Sequence, residues 1–148
     1  MSAPKKIYVG SDHAGWQLKQ RLAAEARALG YEVCDLGPET EERVDYPDFG
    51  LKVARAVVAD PGSRGVLACG SGIGIGMAAN KVRGIRAVTA WSEESARLSR
   101  QHNDANVLAL GQRLLDEEEA LKILRAWLAA EFEGGRHADR VAKLDAEP

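Results

Sequence analysis

Residues 65–76 read GVLACGSGIGIG, an apolar run that passes directly into a glycine-rich loop. A short apolar run bounded by glycines is typical of a buried strand, here over residues 65–69. The residues after the loop predict a helix that begins near Gly74. Glycine lets the backbone approach a ligand closely, and the free amides of a helix N-terminus favour an anion. This strand–loop–helix unit therefore predicts an anion-binding site at its loop.

Outward from this unit, apolar strand-like runs alternate with amphipathic helical patterns along the whole chain. Further strands are predicted over residues 6–10, 31–35, 85–90 and 106–110. Helices are predicted from the loop at 11–15 to residue 29 and over residues 46–59, 92–101, 116–132 and 135–144. Single helices between strands imply right-handed crossovers and a parallel sheet covered on both faces. The sequence thus predicts one doubly wound α/β domain over residues 1–148, a three-layer α/β/α sandwich with a five-stranded parallel sheet.

Composition excludes several classes of function. A formal net charge of −2 without a long basic run gives no electrostatic support for binding nucleic acid or a membrane surface. The N-terminus has no apolar stretch typical of a signal peptide, and no segment approaches the length of a membrane span. Two cysteines do not make a disulfide framework. We therefore expect a cytoplasmic protein.

The glycine-rich loop does not have the spacing of the two best-known nucleotide motifs. The phosphate-binding loop of nucleoside triphosphatases ends in Gly-Lys-Ser/Thr, which is absent. The dinucleotide pattern G-x-G-x-x-G needs glycine at position 75 or 77, where Ile75 and Met77 stand. A nucleotide-binding loop of unusual spacing stays open as an alternative.

Candidate functional residues follow the predicted strands, because ligands in such folds bind beyond the carboxyl ends of the strands. These residues are Asp12 and His13 after the first strand, Cys69 before the glycine-rich loop, and Arg113 after the last strand. Helix-terminal amides favour the thiolate form, which predicts Cys69 as a nucleophile or a proton-abstracting base. A cysteine at the end of a buried strand is also typical of a small core side chain.

Histidines and arginines in the C-terminal half offer further chemistry. His102 lies near the end of a predicted helix, where the helix dipole favours the protonated imidazole. Arg136 and Arg140 share a helix face and could clamp a phosphate. Helix capping and a solvated surface are the alternatives for these residues. None of the three histidines has metal-ligand spacing to another histidine or to a cysteine, so no metal site is expected.

The order of the elements bears on assembly. His102 and Asn103 precede the last strand and so lie at the amino edge of the sheet, whereas Cys69 ends a strand at the carboxyl edge. If these groups cooperate, two subunits must build each site between them. We therefore expect a homodimer with shared sites, and leave open whether dimers pair into tetramers.

Several motifs together resemble the ribose/galactose isomerase family, which includes the type B ribose-5-phosphate isomerases and the galactose-6-phosphate isomerases. The matching stretches run in the family's order over nearly the whole chain: GSDHAG (10–15), DYP (45–47), CGSGIG (69–74), AANK (78–81), GIRA (84–87), LSRQHN (98–103), NVL (106–108) and GGRH (134–137). The resemblance implies a Rossmann-like fold, a dimer with shared active sites and a C-terminal helix, about 135–145, in its packing. It also implies no metal and no cofactor.

The resemblance implies that the chain interconverts ribose 5-phosphate and ribulose 5-phosphate through an enediolate, in the pentose phosphate pathway. Cys69 is then the base and His102 opens the sugar ring, aided by Ser71 and Asp12 respectively. The remaining implied residues contact the enediolate, the sugar or the phosphate: His13, Tyr46, Gly70, Gly72, Ile73, Gly74, Asn103, Arg113, Arg136 and Arg140. His137 matches the motif without an assigned role.

Three variants of this interpretation bear on the base, the substrate and the activity. One branch of the family uses a glutamate in the glycine-rich loop as its base, but Ile75 stands at that position here. The substrate could instead be a six-carbon sugar phosphate, allose 6-phosphate or galactose 6-phosphate. A sugar-phosphate sensor without catalysis is disfavoured, because Cys69 and His102 are both present.

Overall fold

The apolar runs of the sequence form a single parallel sheet. The computed structural model describes Pro4 and residues 6–148. Within these residues, five strands lie in the order β2-β1-β3-β5-β4. Their bounds are Ile7–Ser11 (β1), Val33–Asp35 (β2), Arg64–Cys69 (β3), Ala87–Thr89 (β4) and Val107–Gly111 (β5). The strands β3 and β5 are buried along their whole length, whereas β2 and β4 at the edges are partly exposed.

Helices cover both faces of this sheet. They are Trp16–Ala28 (α1), Tyr46–Ala59 (α2), Ile73–Asn80 (α3), Glu93–Asn103 (α4), Glu117–Ala129 (α5) and Arg136–Ala146 (α6). Buried side chains of α1, α4 and α5 form one core, and those of α2 and α3 form the other. The helix α6 contacts α4. The predicted Rossmann-like three-layer sandwich is confirmed.

Alternation along β3 shows how one strand serves both cores. Val66 and Ala68 belong to the core under α1, α4 and α5, while Leu67 and Cys69 belong to the core under α2 and α3. Successive side chains of a strand point to opposite faces, so a strand covered on both sides is apolar throughout. Cys69 is therefore the last buried residue of the second core.

Several element bounds differ from the prediction by one to three residues. The helix α5 ends at Ala129 rather than at 132, because Ala130 adopts an extended conformation (φ −81°, ψ 148°). Beyond it, the N–H of Glu133 donates to the carbonyl of Gln101 at the end of α4 (3.0 Å). The hydrogen bond between Glu133 and Gln101 thus forms in the segment where the sequence pattern predicts further helix.

The strand order places a crevice between β1 and β3. These strands are neighbours, yet α1 leaves β1 toward one face of the sheet while α3 leaves β3 toward the other. Loops that diverge in this way leave a gap beyond the carboxyl ends of the strands, where ligands bind in open α/β sheets. The loops that follow β1 and β3 contain Asp12, His13 and Gly70–Gly72, and Cys69 is the last residue of β3.

None of the helices in the described part of the chain has both the length and the apolar character needed to cross a bilayer. Residues 1–3 and 5, on which part of the signal-peptide expectation rests, lie outside the described residues.

Candidate active site

A cavity of about 470 Å³ lies at the crevice beyond β1 and β3. Its walls come from the loops after β1, β3 and β5 and from the first turns of α2 and α3. Most of the predicted site residues line it: Asp12, His13, Tyr46, Cys69, Gly70, Ser71, Ile73, Gly74 and Arg113. Folding thus brings together one large part of the predicted set.

Cys69 lines this cavity and is buried, with an exposed fraction of 4% for the residue. The backbone N–H of Gly72 donates to its Sγ at 3.1 Å. Gly72 reaches this position in a left-handed conformation (φ 78°) that glycine adopts without strain. A side chain at this position would also collide with the backbone of β5, since a Cβ would lie 2.8 Å from the carbonyl carbon of Leu110. The loop is therefore shaped to direct an amide at the thiol.

Ser71 and Gly74 shape the start of α3. Ser71 Oγ accepts a hydrogen bond from the N–H of Ile73 (3.1 Å), the first residue of the helix. Gly74 leaves room for the ring of Tyr46, because a Cβ there would lie 2.8 Å from two ring carbons. Tyr46 is 42% exposed, so its ring forms part of the cavity wall rather than of the core.

The loop after β1 is held by its own side chains. Asp12 is 7% exposed, and its Oδ1 accepts a hydrogen bond from the N–H of Gly15 (3.0 Å). The Nδ1 of His13 lies 3.0 Å from the carbonyl oxygen of Val44 and 3.2 Å from its backbone nitrogen. This contact ties the ring to the segment before α2, and its Nε2 is then the ring nitrogen placed to meet a ligand.

Arg113 lies on the wall of the cavity that the loop after β5 forms. Its N–H donates to the carbonyl of Gly70 (2.9 Å), which joins the loop after β5 to the glycine-rich loop. Its exposed side chain crosses Gly70 so closely that a Cβ there would lie 3.0 Å from one guanidinium nitrogen. The cavity consequently has a cation on the same side as the glycine-rich loop.

Five predicted residues are not among the described residues that line this cavity: Gly72, His102, Asn103, Arg136 and Arg140. Gly72 stands in the glycine-rich loop beside Cys69, whereas the other four lie elsewhere. His102 and Asn103 form the last turn of α4, before β5 begins at Val107. Cys69 instead pairs with Gly111 at the far end of β5. Arg136 and Arg140 are exposed and one turn apart on α6.

Folding brings two further residues to His102. The imidazole rings of His102 and His137 are stacked, with centroids 4.3 Å apart and planes inclined by 13°. Glu133 Oε1 lies 3.8 Å from His102 Nε2 and 3.7 Å from His137 Nε2. We name these three residues the His102 cluster. Sequence spacing gave no sign of it, because the cluster depends on the segment after α5 crossing the end of α4.

Burial lowers the pKa of His137 below its ordinary value of 6.5. The positive charges of His102 and Arg136 act in the same direction, whereas the Glu133 carboxylate acts against them. His137 is accordingly held toward its neutral form beside an exposed carboxylate.

Comparisons with known proteins agree over almost the entire chain. The sequence profile of the Ribose/Galactose Isomerase family matches residues 7–144. Ribose-5-phosphate isomerase B of Escherichia coli is 49% identical over 142 residues, which cover 96% of this chain and 95% of that protein. The resemblance noted from the motifs is thereby confirmed.

Solved structures of this family have the same fold. The structure of ribose-5-phosphate isomerase B from Clostridium thermocellum is 54% identical, with a TM-score of 0.92 and 95% of each chain covered. The structure of the Mycoplasma genitalium protein with bound ribulose 5-phosphate is 42% identical, with a TM-score of 0.91 over 95% of this chain and 93% of that one. The chain therefore belongs to the ribose/galactose isomerase family and is an isomerase.

Proposed function

We propose that this protein interconverts ribose 5-phosphate and ribulose 5-phosphate through an enediolate, with Cys69 as the base. The observation that carries the proposal is the placement of the Cys69 sulfur in the cavity beyond β3, 3.1 Å from the N–H of Gly72. The 49% identity to ribose-5-phosphate isomerase B of Escherichia coli supports this choice of sugar over a six-carbon phosphate or a nucleotide.

The reaction moves one hydrogen between neighbouring carbons without net oxidation. The Cys69 thiolate removes the proton from C2 of the aldose and returns it to C1, while one proton passes from O2 to O1. Negative charge develops on the oxygens of the enediolate during this transfer. The amides of Gly70 and Gly72 and of Ile73 and Gly74 at the start of α3 are donors suited to that charge. Those of Gly72 and Ile73 must turn from Cys69 Sγ and Ser71 Oγ, to which they donate here, to reach the substrate.

Ser71 and Asp12 assist in this proposal. Ser71 Oγ accepts the Ile73 N–H, and a hydroxyl that accepts one hydrogen bond still has its own hydrogen to donate to a sugar oxygen. Asp12 supports ring opening from the wall next to Cys69. Ile75 does not take part, because it is fully buried in the core between α2, α3 and the sheet.

Ring opening and phosphate binding involve a second copy of the chain. His102 protonates the ring oxygen of the sugar. The phosphate is held by Arg136, Arg140 and His13. The sugar or the phosphate is also contacted by Tyr46, Asn103 and Arg113. Since His102 and Cys69 lie toward opposite edges of one sheet, we assign His102, Asn103, Arg136 and Arg140 of one subunit to the cavity of the other. The helix α6 then packs at the dimer interface.

Exposed apolar side chains, of which Ile73 and Leu114 line the cavity, support such an interface. Ile73 and Met77 lie one turn apart on α3, and their exposed fractions are 51% and 65%. Trp91, which follows β4, is 74% exposed, and Leu114 beside Arg113 is 68% exposed. Large apolar side chains exposed around one region typically mark a protein interface.

The test is turnover of ribose 5-phosphate by protein treated with a chelator and assayed without added metal or nucleotide. We expect Cys69→Ala to lower kcat by about 10³-fold or more, since removing a catalytic base costs about 10²–10⁴-fold. The matched control is Cys34→Ala, because Cys34 lies on β2 away from the cavity. In D₂O, the product should carry deuterium from exchange at the enediolate.

Two outcomes would contradict the proposal. Full activity of Cys69→Ala would exclude this thiol as the base. If the wild type were inactive on ribose 5-phosphate but active on allose 6-phosphate or galactose 6-phosphate, the proposed substrate would be wrong, while the proposed chemistry would stand.

A further inference from the structure

Three potential donor atoms of the His102 cluster lie close together. His102 Nε2 and His137 Nε2 face the same carboxylate oxygen of Glu133, at 3.8 Å and 3.7 Å. All three ligand atoms lie within 4.8 Å of one another. Two imidazole nitrogens and a carboxylate oxygen make up a donor set that metalloproteins use for Zn²⁺.

The separations are longer than those of direct hydrogen bonds. An N–H···O hydrogen bond is about 2.7–3.2 Å long. Two ligand atoms on one tetrahedral ion are about 3.4 Å apart, as follows from bonds of about 2.0–2.1 Å. The two observed distances to Glu133 are a few tenths of an ångström longer than that. His102 and Glu133 side chains are 37% and 52% exposed, so both can make the remaining adjustment.

The backbone holds the three donors in place. The Glu133 N–H donates to Gln101 of α4 (3.0 Å), directly beside His102. The His137 N–H donates to Gly134 (3.0 Å), which sets the first turn of α6. The His137 side chain is only 11% exposed and has little freedom to move away. The backbone of the site is therefore in place, but the imidazole rings, stacked with planes only 13° apart, must rotate before both Nε2 atoms can point at one ion.

We propose that His102, Glu133 and His137 bind a divalent d-block cation of the Zn²⁺ class, and that the bound ion inhibits the isomerase by occupying His102. Imidazole ligands select such cations over Mg²⁺ and Ca²⁺, which prefer oxygen ligands. The inhibitory part rests on the proposed role of His102, whereas the binding part does not. The positive charges of Arg136 and Arg140, which act on His137, oppose a cation and should weaken its binding.

Calorimetric titration of chelator-stripped full-length protein with ZnCl₂ tests the binding. The wild type should take up one ion per chain at this site. Glu133→Gln and His137→Gln should each weaken binding by at least about tenfold, as loss of a ligand costs no less than loss of its supporting groups. Glu118→Gln, an exposed carboxylate in the first turn of α5, is the matched control and should bind normally.

Titration with Co²⁺ identifies the donor atoms. Ligation by this cluster predicts visible d–d absorption without a thiolate-to-cobalt charge-transfer band. A thiolate band would overturn the proposal by assigning the ion to Cys34 or Cys69. Unchanged Zn²⁺ affinity in both Glu133→Gln and His137→Gln would overturn it as well.

Activity then tests the inhibitory part. Zn²⁺ should inhibit the stripped enzyme reversibly, and Glu133→Gln should need at least about tenfold more Zn²⁺ for the same inhibition. If the stripped protein has no isomerase activity, the proposed function fails, while calorimetry still decides the metal site. If Zn²⁺ binds through the cluster and activity persists, the inhibitory part is wrong.

Discussion

Gly72 and Gly74 stand two residues apart at the start of α3 but face very different neighbours. A Cβ on Gly72 would meet the backbone of Leu110, and the residue needs a left-handed φ of 78°. A Cβ on Gly74 would meet the ring of Tyr46, which is partly exposed and can turn away. At the scale of single residues, the rigidity of the neighbouring atoms determines how much stability is lost when a methyl group is added to a glycine.

We therefore expect Gly72→Ala to lower the free energy of unfolding by about 2 kcal/mol or more, from overpacking and backbone strain together. Gly74→Ala should cost less than about 1 kcal/mol, because the Tyr46 ring can move. Gly74→Ala should nevertheless raise KM, since the displaced ring belongs to the proposed sugar site. Urea denaturation and steady-state kinetics measure both effects. Equal stability losses in the two variants would contradict this account.

His137 makes stability depend on pH in a defined direction. Burial first, and then the charges of His102 and Arg136, lower its pKa in the folded state below the 6.5 of the free group. Between these two values the unfolded chain binds more protons than the folded one, so stability falls as the pH is lowered through this window. Above the unfolded value the effect disappears.

The prediction is that the wild type loses more stability than His137→Asn when the pH falls from about 7 to about 5. The difference between the two proteins should vanish above about pH 7.5 once the constant effect of the substitution is subtracted. Thermal denaturation across this pH series measures it. Parallel pH profiles for the two proteins would show that His137 is not the titrating group.

At the scale of elements, α4 is the helix that carries His102, and its first turn is capped reciprocally. Ser92 Oγ accepts the Ser95 N–H (3.0 Å), and the Ser92 N–H donates to Ser95 Oγ (3.1 Å). Glu93 and Glu94 lie in the first turn, and Arg100 and His102 lie in the last, so the charges at both ends suit the helix dipole. The sequence of α4 therefore specifies both of its ends.

Removing the cap should destabilise the protein without touching the chemistry. Ser92→Ala is expected to lower the free energy of unfolding by about 1 kcal/mol. Ser92→Asp, which keeps a side-chain acceptor at the cap, is the matched control and should stay within about 0.5 kcal/mol of the wild type. Urea denaturation measures both. A loss as large in Ser92→Asp as in Ser92→Ala would mean that packing, rather than the cap, is responsible.

At the scale of the whole molecule, the question is which copy of the chain completes each site. Cys69 lies at the carboxyl edge of the sheet, and the His102 cluster lies at the end of α4 that precedes β5. In a two-fold dimer with shared sites, each site combines Cys69 of one subunit with His102 of the other. A mixed dimer of a Cys69 variant and a His102 variant can then be active, although neither variant is active alone.

We expect Cys69→Ala and His102→Gln to be nearly inactive when each is prepared alone. When the two are unfolded together and refolded, half of the dimers should be mixed, and each mixed dimer contains one intact site. About a quarter of the wild-type activity should therefore return. The control is the same procedure with each variant refolded by itself. No recovery, despite mixed dimers detected by mass spectrometry, would place both residues in one subunit's site.

Much of this architecture can be predicted from the sequence, because its signals are local. Apolar runs such as residues 65–69 become strands, and the glycine-rich loop marks a strand–loop–helix unit whatever surrounds it. The carboxyl-end rule brought Asp12, His13, Cys69 and Arg113 to one cavity, as the structure has them. Helix ends were predicted less well where a tertiary contact competes, as at Ala130, where the chain turns to reach Gln101.

The sequence by itself thus determined the fold class, the strand-to-helix order and the loop that holds Cys69, since backbone preference and hydrophobic periodicity act over a few neighbouring residues. The order of the elements also predicted that His102 lies apart from Cys69, but only the tertiary structure decided that Glu133 and His137 join His102. These relations depend on how α4, α5 and α6 pack in three dimensions. No local spacing encodes a contact between segments that are distant along the chain.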